Sequence, residues 1–319
     1  MKLIKRRGFM NRWLTIFLTI FLMTTVSGCT QNIEEHAKAK VVPEEIVLID
    51  RAGNKINIKN EYNKIISFAP SLSEILLDLG YEDKIIAITT VDSTFNNENI
   101  QVFDMMNPDI ESIMALEPDL ILTTELTSSG QSNPFAELEK SGVTIATIPT
   151  ATTINGIYED LDFIGKLLNE ETKTTAIINN MKNVVDYYKQ KSMGIEDKKT
   201  VYFEISPAPY MFSTGRDTYL NEMIEIVGAE NIFTDQVGWF SPTSEMILTD
   251  NPDVILTNVD YVENPVEEIK SRNGWDVINA VKNNEVFYID NNATSIPNHN
   301  IVKGIKDMAK IIYPEYYKE

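Results

Sequence analysis

Cysteine is nearly absent from this 319-residue chain: Cys29 stands alone, so no disulfide can close within it. Histidine is almost as scarce, with only His36 and His299, which excludes a histidine-rich zinc or manganese centre. No Gly-x-Ser-x-Gly and no His-Glu-x-x-His occurs, so the nucleophile elbow and the zinc-protease helix are excluded as well. Positive charge is thin, 28 Lys and Arg against 47 Asp and Glu, for a net charge of −19. A surface this acidic repels phosphate backbones and anionic headgroups, which sets nucleic-acid binding aside. The one long apolar run, WLTIFLTIFLMTTV (13–26), is short of the ~20 residues a membrane span needs.

That run has a particular setting. Lys2, Lys5, Arg6, Arg7 and Arg12 precede it with no acid among them, and small residues follow it. Basic head, apolar stretch and small residues before a cut site describe an export signal over residues 1–28. Its loss takes away five positive charges and no negative one, leaving −24. Val26-Ser27-Gly28-Cys29 resembles the bacterial lipobox, in which the cysteine is lipidated and the chain is cut just before it. A diacylated Cys29 would hold the protein by two chains to the outer face of the bacterial cytoplasmic membrane, its only tie to lipid. Residues 29–45, polar and aperiodic, read as a flexible tether.

IVLIDRAGNKINIKN (46–60) predicts a hairpin. From residue 64 short apolar strands alternate with helical patterns: strands at 64–69, 84–90, 119–124 and 143–148, helices at 71–80, 107–117 and 133–142. Such alternation indicates parallel sheets covered on both faces. Two helical stretches, 154–168 and 172–191, break the rhythm. The pattern then restarts with strands at 200–205, 253–258 and 285–290 and helices at 218–229, 274–283 and 300–313. The expected fold is α/β: two parallel-sheet lobes of similar build, residues 46–170 and 198–319, joined by a long helix within 171–197, with a ligand cleft between them.

Two internal echoes support the two-lobe reading. NPDIESIMALEPDLILTT (107–124) matches SPTSEMILTDNPDVILTN (241–258), and LSEILLDLGYEDKI (72–85) parallels LNEMIEIVGAENI (220–232). Asn107 and Ser241 are expected to cap the repeated helix, with Pro108 and Pro242 at its first position. Glu111 and Glu245 fall in its first turn, where a carboxylate offsets the positive end of the helix dipole. Glu74 and Glu222 are the second matched pair.

In open α/β sheets ligands bind beyond the carboxyl ends of the strands. The loops expected there are 69–71, 90–95, 102–107 and 125–130 from the first lobe. The second supplies 206–212, 237–240, 258–262 and 291–299. They are apolar and aromatic with few charges, suited to a bulky, partly apolar ligand.

The order of KIISFAPSLSEILLDLG, DRAGNKINI, FSTGRDTYLNEMIEIVGAENIF and RNGWDVINAVKNNEVFYID resembles the ABC-importer substrate-binding lipoproteins that capture cobalamin, siderophores or haem. The likeness covers roughly residues 45–315. It implies a binding protein rather than an enzyme, a monomer, with no intrinsic cofactor and no resident metal. Its partners would be a small ligand, an iron complex or cobalamin, and an ABC permease with its ATPase. By resemblance Glu111 and Glu245 would dock on permease arginines, with Glu74 and Glu222 as rivals. Met106 stands where haem receptors place an iron-ligating Met, but Asp260 replaces their second ligand, a His. Trp239 and Phe212 match cleft aromatics of the cobalamin receptor, whose other aromatics are replaced by Val91, Met105 and Thr124. Tyr210 and Arg216, in or beside the same loops, complete the expected ligand-contacting set; Arg216 is the one arginine near them, whereas a ferric catecholate normally meets several. The alternative readings are a surface-anchored sensing module or a carboxylate-based hydrolase on the same fold.

Overall fold

The computed structural model describes residues 46–95, 100–127 and 133–317, which fall in one compact unit. The export signal, Cys29 and the tether lie outside the described residues.

The chain opens with an antiparallel hairpin, β1 (Ile46–Ile49) and β2 (Lys55–Ile58). Asp50 organises its turn by accepting from the amides of Ala52 and Asn54, and ties it to the first lobe by accepting from the amide of Thr147. There follow β3 (Ile65–Ser67), α1 (Pro70–Leu79), β4 (Ile85–Thr89), β5 (Gln101–Phe103), α2 (Ile110–Ala115), β6 (Leu120–Thr123), α3 (Ala136–Lys140) and β7 (Thr144–Thr147). The five strands β3 to β7 form an all-parallel sheet in the order β5-β4-β3-β6-β7. Helices α4 (Ile154–Leu168) and α5 (Glu171–Ser192) come next without a strand between them, and Asn169 ends α4 in the left-handed region at φ 57°.

The second lobe runs β8 (Thr200–Glu204), β9 (Ser213–Thr214), α6 (Tyr219–Ile226), β10 (Glu230–Asn231), β11 (Trp239–Phe240), α7 (Ser244–Asp250), β12 (Val254–Thr257), α8 (Pro265–Lys270), α9 (Asn279–Lys282), β13 (Val286–Tyr288), α10 (Asn292–Ser295) and α11 (Ile301–Ile312). Its main sheet is parallel in the order β10-β8-β12-β13, and β9 and β11 make a separate antiparallel ribbon. In each lobe the strand order reverses direction at one place, between β3 and β6 and between β8 and β12. Such switch points open a crevice at the carboxyl ends of the strands.

Strand alternation sends neighbouring residues into different cores. Ile65, Leu120 and Leu122 share one apolar cluster with Val201, Phe203, Val254 and Leu256, although they come from different sheets. The side chains that bridge them are on α1, α4, α5, α6 and α11, among them Leu76, Ile157, Met181, Met223 and Ile305. The intervening strand residues face outward into private clusters, Ile66 and Ile121 in the first lobe and Tyr202 and Ile255 in the second. The lobes are therefore fused through a common core on one side, and a rigid-body opening would have to break it.

The repeated segments fold alike, though not capped as the sequence suggested. The caps of α2 and α7 are Asp109 and Thr243, whose side chains accept from the amides of Ser112 and Met246. Pro108 and Pro242 therefore precede the caps, and Asn107 and Ser241 lie further out. Asn and Ser are equally good acceptors, but the helices begin two residues later than expected, at Ile110 and Ser244, so the oxygens in register with the free amides are those of Asp109 and Thr243. Both repeats exit through a left-handed residue before proline, Glu117 at φ 50° and Asn251 at φ 48°. The expected helix at 274–283 is interrupted, because Ile278 is extended between a 3-10 turn (Trp275–Val277) and α9.

Candidate functional site

The carboxyl ends of β6, β7, β8 and β13 converge on a cavity of about 620 Å³, within the size range of small-molecule sites. The first lobe supplies Glu125 and Leu126 after β6 and Thr150, Ala151 and Thr152 after β7; the second supplies Ile205, Phe212, Tyr219, Leu220, Trp239, Thr294, Ser295 and Pro297. The cavity is therefore shared by both lobes, at the edge where both sheets switch direction.

The aromatic wall is built by the ribbon that the sequence did not announce. Trp239 of β11 pairs with Thr214 of β9, and Phe240 with Ser213. This lays the indole 5.4 Å from the Tyr219 ring at 60°, a tilted aromatic contact of the favourable kind. Tyr219 is buried, and its hydroxyl donates to the Thr294 carbonyl at 3.0 Å; burial raises its pKa. Phe212 is fixed by its own backbone: its carbonyl accepts from the amide of Ile205 and its amide donates to Ser206. Behind this wall the Asn258 amide donates to the hydroxyls of Thr294 and Ser295, both at 2.9 Å, which anchors α10.

Glu125 is the one charged residue among the described lining residues. The Thr150 amide donates to its carboxylate at 2.9 Å, holding it against the segment that follows β7. No cluster of three His, Cys, Asp or Glu fit to hold a metal occurs among the described residues.

The sequence-derived candidates distribute unevenly. Phe212 and Trp239 are in the cavity wall. Met106 is 60% exposed on the turn after β5, its amide donating to Asp104, and Tyr210 is 87% exposed; neither reaches the wall. Arg216 is also outside it, half-exposed with its guanidinium 3.6 Å from Asp217. Thr150 to Thr152 were not anticipated, although the strand-end rule applied to β7 would have found them. Tyr219 reads as a core residue of α6 and carries no separate signal.

Glu111 and Glu245 are exposed in the first turns of α2 and α7. The Glu245 carboxylate stays local, and hydrogen bonds from its own amide and from the Thr243 hydroxyl lower its pKa. Glu74 and Glu222 behave differently, since each crosses to the other lobe. Glu74 accepts from the amides of Asn298 and Asn300 at 2.7 and 2.8 Å. Glu222 accepts from the backbone amide of Ile154 at 2.8 Å; burial raises its pKa, opposed by that bond and by Lys189. His299 Nε2 lies 2.5 Å from Asp78 in the same seam.

Residues 65–293 match the family model described as periplasmic binding protein. Over 99% of its length and 99% of the relative's, the chain is 31% identical to YvrC of Bacillus subtilis (strain 168), termed an uncharacterized ABC transporter substrate-binding lipoprotein. It is 26% identical to the vitamin B12-binding protein of Yersinia pestis (strain Pestoides F), over 61% of this chain and 69% of that one. Among solved structures, a possible iron-binding (periplasmic solute-binding) protein from Staphylococcus epidermidis ATCC 12228 superposes with a TM-score of 0.69 at 32% identity, covering 79% of this chain and 99% of that chain.

Proposed function

The chain belongs to the periplasmic binding protein family, and from that premise we propose that it is the lipid-anchored receptor of an ABC importer for an iron complex or a corrinoid, held in the cavity between its lobes. The observation that carries this reading is the cavity itself: about 620 Å³, shared by both lobes, aromatic on one side and open at the switch points of both sheets. The names of the vitamin B12-binding and possible iron-binding relatives support the ligand class.

In this reading Cys29 carries the lipid and residues 29–45 give the receptor its reach. Glu111 and Glu245 form a two-point grip on basic permease residues. Both begin helices that run back from the carboxyl edges of their sheets, the edge on which the cavity opens, so docking and loading share one end of the molecule. A hydrolase built on paired carboxylates needs two acids facing one bond; the described wall offers Glu125 alone.

The test is a titration of the full chain in detergent with cobalamin, haem and ferric siderophores, read by tryptophan fluorescence. Trp239 in the wall should report occupancy, and Trp239→Phe should remove the ligand-dependent change, because Trp275 is buried under Arg272 and Trp13 belongs to the export signal. Absence of any response or thermal shift across the panel would overturn the reading. For docking, Glu111→Ala with Glu245→Ala should keep ligand binding and abolish uptake by cells; normal uptake would defeat that assignment.

A further inference from the structure

The charge of the cavity narrows its ligand further than its size does. The described wall holds no Lys, Arg or His, and its single charge is the carboxylate of Glu125. The two internal stretches outside the described residues, 96–99 and 128–132, contain no basic residue in sequence either. Arg216, the one arginine near the strand-end loops, is not part of the wall and stands beside Asp217. The loops at the same edge add Asp92, Asp104 and Asp260.

A polyanion entering such a site would shed water, which strengthens repulsion, and would meet no compensating donor of positive charge. A cation meets the opposite situation. Trp239 and Phe212 give the wall aromatic surface suited to a positive group, with the buried Tyr219 ring backing the indole, and the Thr150 amide holds Glu125 in place.

Resting on the function proposed above, we propose that this cleft selects by charge: it takes metal chelates or corrinoids that are neutral or cationic, it rejects polyanionic ones, and Glu125 is the specificity-determining residue. Chelates of the hydroxamate type and corrinoids share the required chemistry. Ferric tricatecholates, and haem with its two propionates, do not.

The experiment varies charge on a fixed scaffold. Equilibrium dialysis of the full chain in detergent would use ferrioxamine B, which is cationic, its neutral N-acetyl form and its anionic N-succinyl form. Aquocobalamin, cationic, and cyanocobalamin, neutral, form the corrinoid pair; haem and ferric enterobactin represent the polyanions. In whichever scaffold binds, the cationic member should bind roughly three- to fivefold more tightly than the least positive one, as expected for one exposed, solvent-screened carboxylate. Glu125→Gln keeps an acceptor for the Thr150 amide and should remove most of that spread. On the unaltered protein, raising the salt should compress the spread in the same direction, so the proposal does not depend on the variant folding.

Tight binding with a flat charge series, an unchanged series in Glu125→Gln, or haem or ferric enterobactin bound as tightly as neutral chelates would overturn the charge filter and leave the receptor reading in place. Binding by none of the probes would overturn both.

Discussion

The two lobes place opposite chemistry at one equivalent position. Ile65 pairs with Leu120 and Val201 with Val254, so Phe68 in the first lobe occupies the place of Glu204 in the second. Phe68 is fully buried and packs 5.6 Å from the Phe135 ring. Glu204 is equally buried but takes two hydrogen bonds from Arg272, at 2.6 and 2.8 Å, while Arg272 stacks 4.5 Å from Trp275. Burial raises the Glu204 pKa against the pull of Arg272. For Arg272 burial is outweighed by its bonds to Glu204 and Glu268, and its pKa rises. One architecture thus tolerates either an apolar plug or a paired charge, provided that nothing polar is left alone.

The repeated acidic residues show the same logic. Asp119 accepts from the amides of Asn63 and Lys64, and Asp253 from the amide and hydroxyl of Thr200, so in each lobe this letter pins the start of the neighbouring strand. Glu74 and Glu222 bridge the lobes, whereas Glu111 and Glu245 reach neither lobe's partner and stand in solvent. Repeated letters that serve the fold are bonded across it; Glu111 and Glu245 are the repeated pair left exposed.

The lobe comparison breaks hardest at Arg272. Arg272→Leu strands Glu204 as a buried, unpaired carboxylate and should cost ~3–5 kcal/mol in urea unfolding at neutral pH. Glu204→Leu combined with Arg272→Leu should recover much of that, making the second lobe resemble the first. If single and double variants lose the same stability, the stranded charge is not the cause.

A second contrast lies in α4 and α11. Asp160 and Asp307 each fall six residues after the first residue of their helix, yet Asp160 is buried and Asp307 exposed. Burial pushes the Asp160 pKa up to about 6, against the hydrogen bond and charge of Arg51. A carboxyl with a raised folded pKa binds its proton more tightly when folded. Its contribution is therefore complete below the ordinary value of 3.8 and is lost as pH rises through about 6. At ~1.4 kcal/mol per pKa unit, this is roughly 3 kcal/mol of stability lost between pH 4 and 7. Asp160→Asn should flatten that slope in urea midpoints measured against pH, and Asp307→Asn should leave it nearly intact.

The smallest expected effects separate the glutamate pairs. Glu74→Ala and Glu222→Ala each remove hydrogen bonds to a carboxylate across the seam and should cost ~1–3 kcal/mol. Glu111→Ala and Glu245→Ala should each cost less, only the small contribution of a first-turn carboxylate at a helix dipole. Equal losses in all four would erase the distinction between bridging and outward-facing acids.

The strand–helix alternation, the ends of α4, the restart after α5 and the parallel sheets were legible in the sequence, because each is written in a local period of apolar residues. The edge strand β5 and the ribbon of β9 and β11 were not, since two or three residues carry no period and their pairing partners lie far along the chain. The site divided in the same way: Trp239 and Phe212 could be nominated from motif positions, while Tyr219 looked like any core residue of α6. Met106, Tyr210 and Arg216 had the right chemistry and neighbourhood, but they do not line this cavity.

By itself, the sequence determined the longer strands and helices, that they come in two matched sets, and that the chain is acidic. These follow from local periodicity, capping chemistry and charge count, which need no knowledge of distant neighbours. Only the tertiary structure decided which acids bridge the lobes and which face water, and that one hydrophobic core fuses both halves. It alone left a single carboxylate among the described residues of the cavity wall. Each of those outcomes depends on groups far apart in the chain arriving at the same place, and a pattern read along the chain cannot carry that information.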